Sequence, residues 1–376
     1  MIPFNKPEAG GSELDRVHEA MSQAKLSGDG PFAEQCQTVL SGLAGGGRCF
    51  LTPSCTAALE MSAMLLDLAP GDEVIMPSFT FVSTANAVVL RGAMPVFIDI
   101  RPDTLNIDER LVEGAITPRT KAIIAVHYAG VPADMDPLVE IAKATGRGVV
   151  EDAAQALGST YRGRKAGGLG DMSAFSFHET KNIVSGEGGA LLVNGPQWIE
   201  RAEIIREKGT NRRNLLRGLV DKYTWVDIGS SYLTSELVSS FLLGQLQDFD
   251  NIQRARMEHW NFYFDELVDL ENFGFRRPCI PKWCTHNAHL FYLLAPTAQQ
   301  RDRVIAKLRE DGIAAPFHYI PLHSAPAGRR YARTGSDMSV TDDISARLLR
   351  LPLYRNLGTQ RETVVERVRF HARSDA

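Results

Sequence analysis

A succession of short apolar runs, separated by stretches with helical periodicity, constrains this chain more than any other feature. The runs fall at 49–52, 73–76, 95–98, 122–126, 148–150, 173–177 and 189–193. They are apolar without clean alternation, which is the pattern of strands buried on both faces. Helical patterns at 55–66, 81–91, 108–116 and 136–145 lie between them. Strands alternating with helices specify an α/β fold around a mostly parallel sheet.

A long helical pattern from Ser235 to about Leu267 closes this region. Beyond it the texture changes to a strand at 288–294, a helix at 298–310 and a mixed segment at 316–323. The expected organisation is a large domain over 1–249 and a smaller C-terminal α+β domain over 250–376, with the N-terminal segment packing on the smaller one. The full 376 residues are enough for both cores.

Composition narrows the function classes. A net charge of −4 creates no field that would draw the chain to nucleic acid or an acidic membrane surface, so an anionic substrate must be held by local groups. The five cysteines lack a CxxC pair and read as reduced thiols. The start, Met1-Ile2-Pro3-Phe4-Asn5, has no basic-then-apolar leader pattern, and no apolar run is long enough to span a bilayer. The expected compartment is the cytoplasm, with no membrane or nucleic-acid partner.

Three motifs carry chemistry. Pro53-Ser54-Cys55-Thr56-Ala57 follows a strand and opens a helix; it fits either an ordinary Ser/Thr cap or a phosphate site at the positive end of a helix. Asp152 ends an otherwise apolar strand, where ligands gather in open α/β sheets, although a helix cap or a metal ligand fits there too. Gln155 lies one helical turn further on. Lys181 comes directly after the strand at 173–177 and before the Gly-rich run 185–189. Burial there would lower its pKa and make the amine nucleophilic, in contrast to a surface lysine. An amine able to form a Schiff base with an aldehyde, together with a carboxylate able to pair with a protonated ring nitrogen, is what a pyridoxal phosphate enzyme requires.

Other signals are weaker. Ser176 is a candidate second phosphate contact. Phe79, Phe81 and His127 stand at strand ends, where a ring either stacks on a flat cofactor or fills core. Cys55 has no His or acid motif to activate it. Gly28-Asp29-Gly30-Pro31-Phe32-Ala33 matches GxGxxA but follows no apolar strand, so it is not read as a dinucleotide site. Cys284, His286 and His289 lack a second ligand pair for zinc, and no metal site is expected. The basic loop 209–213 with Arg217 suits a diphosphate or a solvated turn.

Together these stretches resemble the sugar-nucleotide aminotransferases of the DegT/StrS type. The resemblance rests on Gly71-Asp72-Glu73-Val74-Ile75, Val126-His127-Tyr128-Ala129-Gly130, Glu151-Asp152-Ala153-Ala154-Gln155, Phe175-Ser176-Phe177-His178-Glu179-Thr180-Lys181-Asn182 and Gly186-Glu187-Gly188-Gly189-Ala190, and it runs from Phe4 to about Leu357. It implies the type I fold of pyridoxal phosphate-dependent transferases and a homodimer with shared active sites. By the same resemblance, Lys181 would be the Schiff-base lysine and proton shuttle, Asp152 the partner of the pyridine nitrogen, and Gln155 that of the ring hydroxyl. Phe81 would stack on the ring, and Thr56, the backbone of Ala57 and Ser176 would hold the phosphate. Ser231 of the second subunit takes the place of an asparagine in relatives, and Arg212, His318 and His323 would lie near the sugar. The implied substrates are a dTDP-linked keto sugar and L-glutamate, with amination at C4 giving a galacto-configured product. The gluco product and C3 amination share the same core motifs. A dehydratase of this fold would carry histidine in place of Lys181, a regulatory relative could lack Lys181 or Gln155, and a nicotinamide enzyme would need the missing glycine fingerprint.

Overall fold

The computed structural model describes residues 1–373. The early apolar runs are strands: β1 (Arg48–Thr52), β2 (Glu73–Pro77), β3 (Met94–Ile98), β4 (Thr120–Val126) and β5 (Gly148–Asp152). A small ribbon, β6 (Thr160–Tyr161) and β7 (Arg164–Lys165), precedes β8 (Met172–Ser176) and β9 (Gly189–Val193). The C-terminal part adds β10 (Cys284–Thr285), β11 (Phe291–Leu294), β12 (Arg333–Thr334) and β13 (Leu348–Leu351). Eight of these make one sheet in the order β1-β9-β8-β5-β4-β2-β3-β12. From β8 across to β12 the neighbours are parallel, while β9 runs antiparallel to both β1 and β8. The α/β expectation therefore holds.

Why the strands show no polar alternation is now plain. On one face Val74, Met76, Phe97, Ile124 and Val150 pack against helices Cys55–Leu65 and Val82–Val89. On the other, Ile75, Val96, Ile98, Ile123 and Val149 pack against helix Met135–Thr145 through Leu138 and Ala142. Each large aliphatic side chain so buried contributes about 1.5–3 kcal/mol of transfer free energy.

Three local expectations differ from the structure. The pattern at 235–267 is two helices, Glu236–Gln247 and Phe249–Glu266, broken at Asp248. Asp248 pairs with Arg355 at 2.6 Å and keeps near-helical dihedrals (φ −100°, ψ 13°), so the apolar periodicity runs on through it and the sequence conceals the break. The strand placed at 288–294 begins only at Phe291, because Ala288 takes a positive φ of 49° and turns the chain. The helix placed at 108–116 is a 3₁₀ turn, Glu109–Leu111, running into the single turn Val112–Ala115.

A second core gathers Trp260, Tyr263, Phe291, Leu293, Val304, Leu308, Leu349 and Val364 in the C-terminal part. The chain does not divide cleanly near 249, however. β12 completes the large sheet, and Leu322 and Met338 sit in the large core. In the other direction, Ile2 bridges Ile313, and the Leu353 N–H donates to the Phe4 carbonyl.

Candidate active site

The parallel strands deliver their C-terminal ends to one side of the sheet, where a cavity of roughly 670 Å³ opens. Its walls include Ser54, Cys55 and Thr56 from the start of one helix, Asp152 from the end of β5, Gln155 just beyond, Ser176 from the end of β8, and Lys181. Phe81, His289, His318, Tyr319 and Arg350 also face it, as do Phe4 and Asn5 of the N-terminal segment.

Local backbone chemistry fixes the helix start. Ser54 is extended, and its hydroxyl oxygen accepts the Ala57 N–H at 3.1 Å. Thr56 shares a hydrogen bond of 2.7 Å with Ser83. Behind this turn lies Gly189 at the beginning of β9. A Cβ there would fall 2.3 Å from the Ser54 carbonyl carbon and 2.4 Å from the Cys55 nitrogen, so only glycine lets the strand and the helix start meet. The opening turn of this helix brings N–H groups and the positive dipole end to the cavity wall, which suits a phosphate.

Asp152 is buried and held. Its Oδ2 accepts the Thr84 hydroxyl at 2.7 Å, and that hydroxyl in turn shares a 2.9 Å hydrogen bond with Thr80. Its neighbour Glu151 accepts the N–H groups of Gly167, Leu169 and Gly170, each at 2.7 Å. His127 Nδ1 accepts the Ala133 N–H, so the Nε2–H donates to Glu151 at 2.9 Å. His127 is thus a clamp beneath the end of β5 rather than a ring on the cavity wall. Gln155 Oε1 accepts the Ala129 N–H at 2.7 Å, and its amide donates to the Tyr319 hydroxyl at 2.9 Å.

Lys181 sits in a turn closed by its own N–H to the His178 carbonyl at 2.9 Å. Burial lowers its amine pKa, reinforced by the Arg350 charge and opposed by Cys55 and Asp152. The amine therefore holds a neutral, nucleophilic fraction at lower pH than a free lysine. Burial also raises the Cys55 thiol well above its usual range, so it stands there as a neutral SH group. His318 shares a 2.7 Å hydrogen bond with the Tyr128 hydroxyl and stacks on Tyr319 with centroids 3.7 Å apart. Burial holds it well below the usual imidazole pKa.

The cavity brings together Thr56, Phe81, Asp152, Gln155, Ser176, Lys181 and His318. Phe79 is core, whereas Phe81 stays 57% exposed with its ring open to the cavity. Ala57 lies one residue behind the wall, its N–H already donated to Ser54. Three expected residues lie elsewhere on this chain. Ser231 forms a bridge with Glu207, Arg212 pairs with Glu207 at 3.4 Å, and His323 bonds Ser78 at 2.8 Å and Asp342 at 3.2 Å. Cys284, His286 and His289 go to three separate places: β10, the face of Trp260, and the cavity wall, where His289 shares a 3.0 Å hydrogen bond with Asn182. Sequence reasoning missed Thr84, Tyr319, His289 and Arg350. Only Arg350 carried a signal, as the lone charge in the apolar run Leu348-Leu349-Arg350-Leu351.

Comparison with known proteins settles the class. The model of the DegT/DnrJ/EryC1/StrS aminotransferase family matches residues 7–369. The chain belongs to that family. It is 34% identical over 360 residues to the uncharacterized protein MJ1066 of Methanocaldococcus jannaschii, covering 94% of this chain and 92% of that one. The aminotransferase TlmJ from Streptoalloteichus hindustanus superposes with a TM-score of 0.90 at 32% identity, over 99% of this chain and 98% of TlmJ. DesI, solved in the presence of its TDP-sugar product, gives a TM-score of 0.90 at 29% identity, over 99% and 93% of the two chains.

The aminotransferase has the type I α/β fold of pyridoxal phosphate enzymes, and pyridoxal 5′-phosphate is its cofactor. The residues present fit that group. A buried amine, a carboxylate held by the Thr84 hydroxyl and the Ala154 N–H, and a helix start carrying only the small side chains of Ser54, Cys55 and Thr56 share one cavity. Its volume lies within the range of about 300–1,000 Å³ usual for small-ligand sites.

Proposed function

We propose that this aminotransferase acts on a sugar nucleotide. The full reading is conversion of dTDP-4-dehydro-6-deoxy-D-glucose and L-glutamate into dTDP-4-amino-4,6-dideoxy-D-galactose and 2-oxoglutarate. The observation that carries transamination is the pairing of Lys181 and Asp152 on one cavity wall. The sugar nucleotide is supported by the TDP-sugar product solved with DesI and by the resemblance over 206–212, 221–225 and 227–233.

In this reading Asp152, oriented by the Thr84 hydroxyl, would hold the protonated ring nitrogen. Pyridoxal phosphate, when bound, supplies a ring that withdraws electrons from the carbon beside the transferred nitrogen. Lys181 would be the covalent anchor and, as an amine with a burial-lowered pKa, the base that takes the proton from the donor's α-carbon. In the second half it returns a proton to the sugar carbon. Gln155 would meet the ring hydroxyl, Phe81 would cover a ring face, and Thr56, Ser176 and the helix start would take the phosphate.

A homodimer completes this reading. Leu216, Leu219, Tyr223, Trp225, Val226 and Ile228 form an exposed apolar stretch around the segment that carries Arg212 and Ser231. Covered by a second copy, that segment would bring both residues to the partner's cavity. We assign the enzyme to the cytoplasm and to surface-polysaccharide assembly, of the enterobacterial common antigen or O-antigen kind. No described helix is long and apolar enough to cross a membrane.

The test is an assay of dTDP- and UDP-linked keto sugars with L-glutamate, and NMR couplings of the product. Selective turnover of the dTDP 4-keto sugar with an axial C4–N bond supports the full reading. An equatorial C4–N bond or amination at C3 would refute it at the level of stereochemistry or position.

A further inference from the structure

Arg350 is the one site-facing cation that the reading above leaves without a task. It sits in β13, half-buried, with its side chain at the cavity wall. Its Nε and one Nη donate to the Phe317 carbonyl at 3.2 and 2.8 Å, which fixes the plane of the group. The Phe4 ring covers one face, 4.4 Å from the guanidinium carbon. Among the described residues no carboxylate forms an ion pair with it; burial disfavours its charge, and the neighbouring phenols of Tyr128 and Tyr319 offset this only in part.

The charge balance of the cavity makes this unusual. Asp152 and Glu187 are the carboxylates on its wall. Asp152 is committed to Thr84 and the ring nitrogen, and Glu187 is largely exposed and lies 3.8 Å from His178. Arg350 and Lys181 repel one another across the same space, and each lowers the proton affinity of the buried His318. An arginine held in plane, stacked on one face and lacking a counter-ion, is built to receive a planar anion.

We propose that Arg350 anchors the α-carboxylate of the amino-acid donor and is the residue that makes an α-amino acid, rather than a simple amine, the nitrogen source. This rests on the transaminase reading and extends it to the donor side. An α-carboxylate is one bond from the carbon that carries the transferred nitrogen, so its anchor must lie within electrostatic reach of Lys181. A nucleotide diphosphate is separated from the reacting carbon by the sugar ring, so its anchor would lie farther from Lys181. Phe4 gives the N-terminal segment a part in this, as the platform on which the guanidinium lies.

The two half-reactions separate the possibilities. L-Glutamate alone should discharge the lysine-bound chromophore of the wild-type holoenzyme, with no sugar present. 4-Aminobutyrate, which is glutamate without its α-carboxylate, should do so about 10- to 100-fold less efficiently, the usual worth of a charge-assisted pair. Arg350→Gln should lose about that factor with glutamate and little with 4-aminobutyrate, so that the preference collapses. Arg350→Lys should recover part of it. Calorimetry with 2-oxoglutarate and with 4-oxobutanoate, which lacks the α-carboxylate, gives a readout on the holoenzyme independent of turnover: Arg350→Gln should weaken 2-oxoglutarate far more than 4-oxobutanoate. Equal losses with both amines and both acids would overturn the assignment in favour of the side-chain carboxylate. An intact glutamate half-reaction with loss only in the keto-sugar half-reaction would overturn it in favour of the nucleotide. Unaltered cofactor loading and melting temperature in Arg350→Gln keep these outcomes free of misfolding. Failure of the wild type with every keto sugar would count against the proposed substrate and leave the donor result standing.

Discussion

Glu73 offers a quantitative test of how the β12 edge is tied to the large sheet. It is 1% exposed at the start of β2 and accepts hydrogen bonds from Arg333 at 2.7 and 3.1 Å, Arg119 at 2.6 and 3.2 Å and Thr117 at 2.8 Å. Arg333 belongs to β12, which follows the segment carrying His318 and Tyr319. The Arg333 hydrogen bonds, helped by Thr117 and Arg119 and opposed by burial, lower the Glu73 carboxyl from 4.5 to about 2. At about 1.36 kcal/mol per unit, that depression corresponds to at most about 3 kcal/mol. The Arg119 side chain is 63% exposed and its share is screened, so about 2 kcal/mol is a fairer figure. The folded-state pKa lies below the unfolded one, so this stability is fully present above the unfolded value and fades as pH falls towards about 2. Glu73→Gln should therefore cost about 2 kcal/mol or more near neutrality. The gap to wild type should narrow by roughly 1–2 kcal/mol between about pH 6 and about pH 3. Denaturant unfolding of the holoenzyme across that range measures it. A deficit that stays constant with pH would refute the electrostatic account, and no deficit at neutrality would refute the pairing itself.

Other perturbations reach the site directly. Lys181→Ala should abolish turnover, and borohydride reduction followed by mass spectrometry should find no cofactor attached to the chain. In cofactor-free protein, the pH dependence of cofactor attachment should show a midpoint below the 10.5 of an ordinary lysine, because burial favours the neutral amine; a midpoint at or above that value would contradict the buried setting. Thr84→Val should weaken cofactor affinity about tenfold or more by removing the hydroxyl that fixes Asp152, as measured by calorimetry of apoenzyme. Gly189→Ala should lower stability by about 1–3 kcal/mol and impair phosphate binding, since its Cβ would meet the Ser54–Cys55 backbone; a fully loaded, equally stable variant would show that the helix start can move.

How much of this was readable in advance follows from which interactions are local. The strands were legible because Val74-Ile75-Met76 and Ile123-Ile124-Ala125 are covered on both faces and therefore carry no polar alternation. Asp152 and Lys181 stood out because each interrupts or ends an apolar run. The break at Asp248 was invisible because Asp248 keeps near-helical dihedrals (φ −100°, ψ 13°), and the positive φ of Ala288 has no signature in an alanine. Thr84 and Tyr319 reach the site only through tertiary closure: Thr84 points from a helix to a carboxylate on a distant strand, and Tyr319 is carried in from the C-terminal part. Nothing in the spacing of the chain encodes either contact.

The stitching between the two cores bears on how a bulky nucleotide gets in. Residues 2–4 are fastened to the C-terminal core, the helix Phe249–Glu266 leaves the large one, and β12 returns to its edge. A hinge would have to flex at all of these connections at once, and at the β12 edge it would also have to strip Arg333 from Glu73. Turnover should therefore be little slowed by solvents viscous enough to damp large-scale lobe motion, because substrate entry would rely on side chains and surface segments.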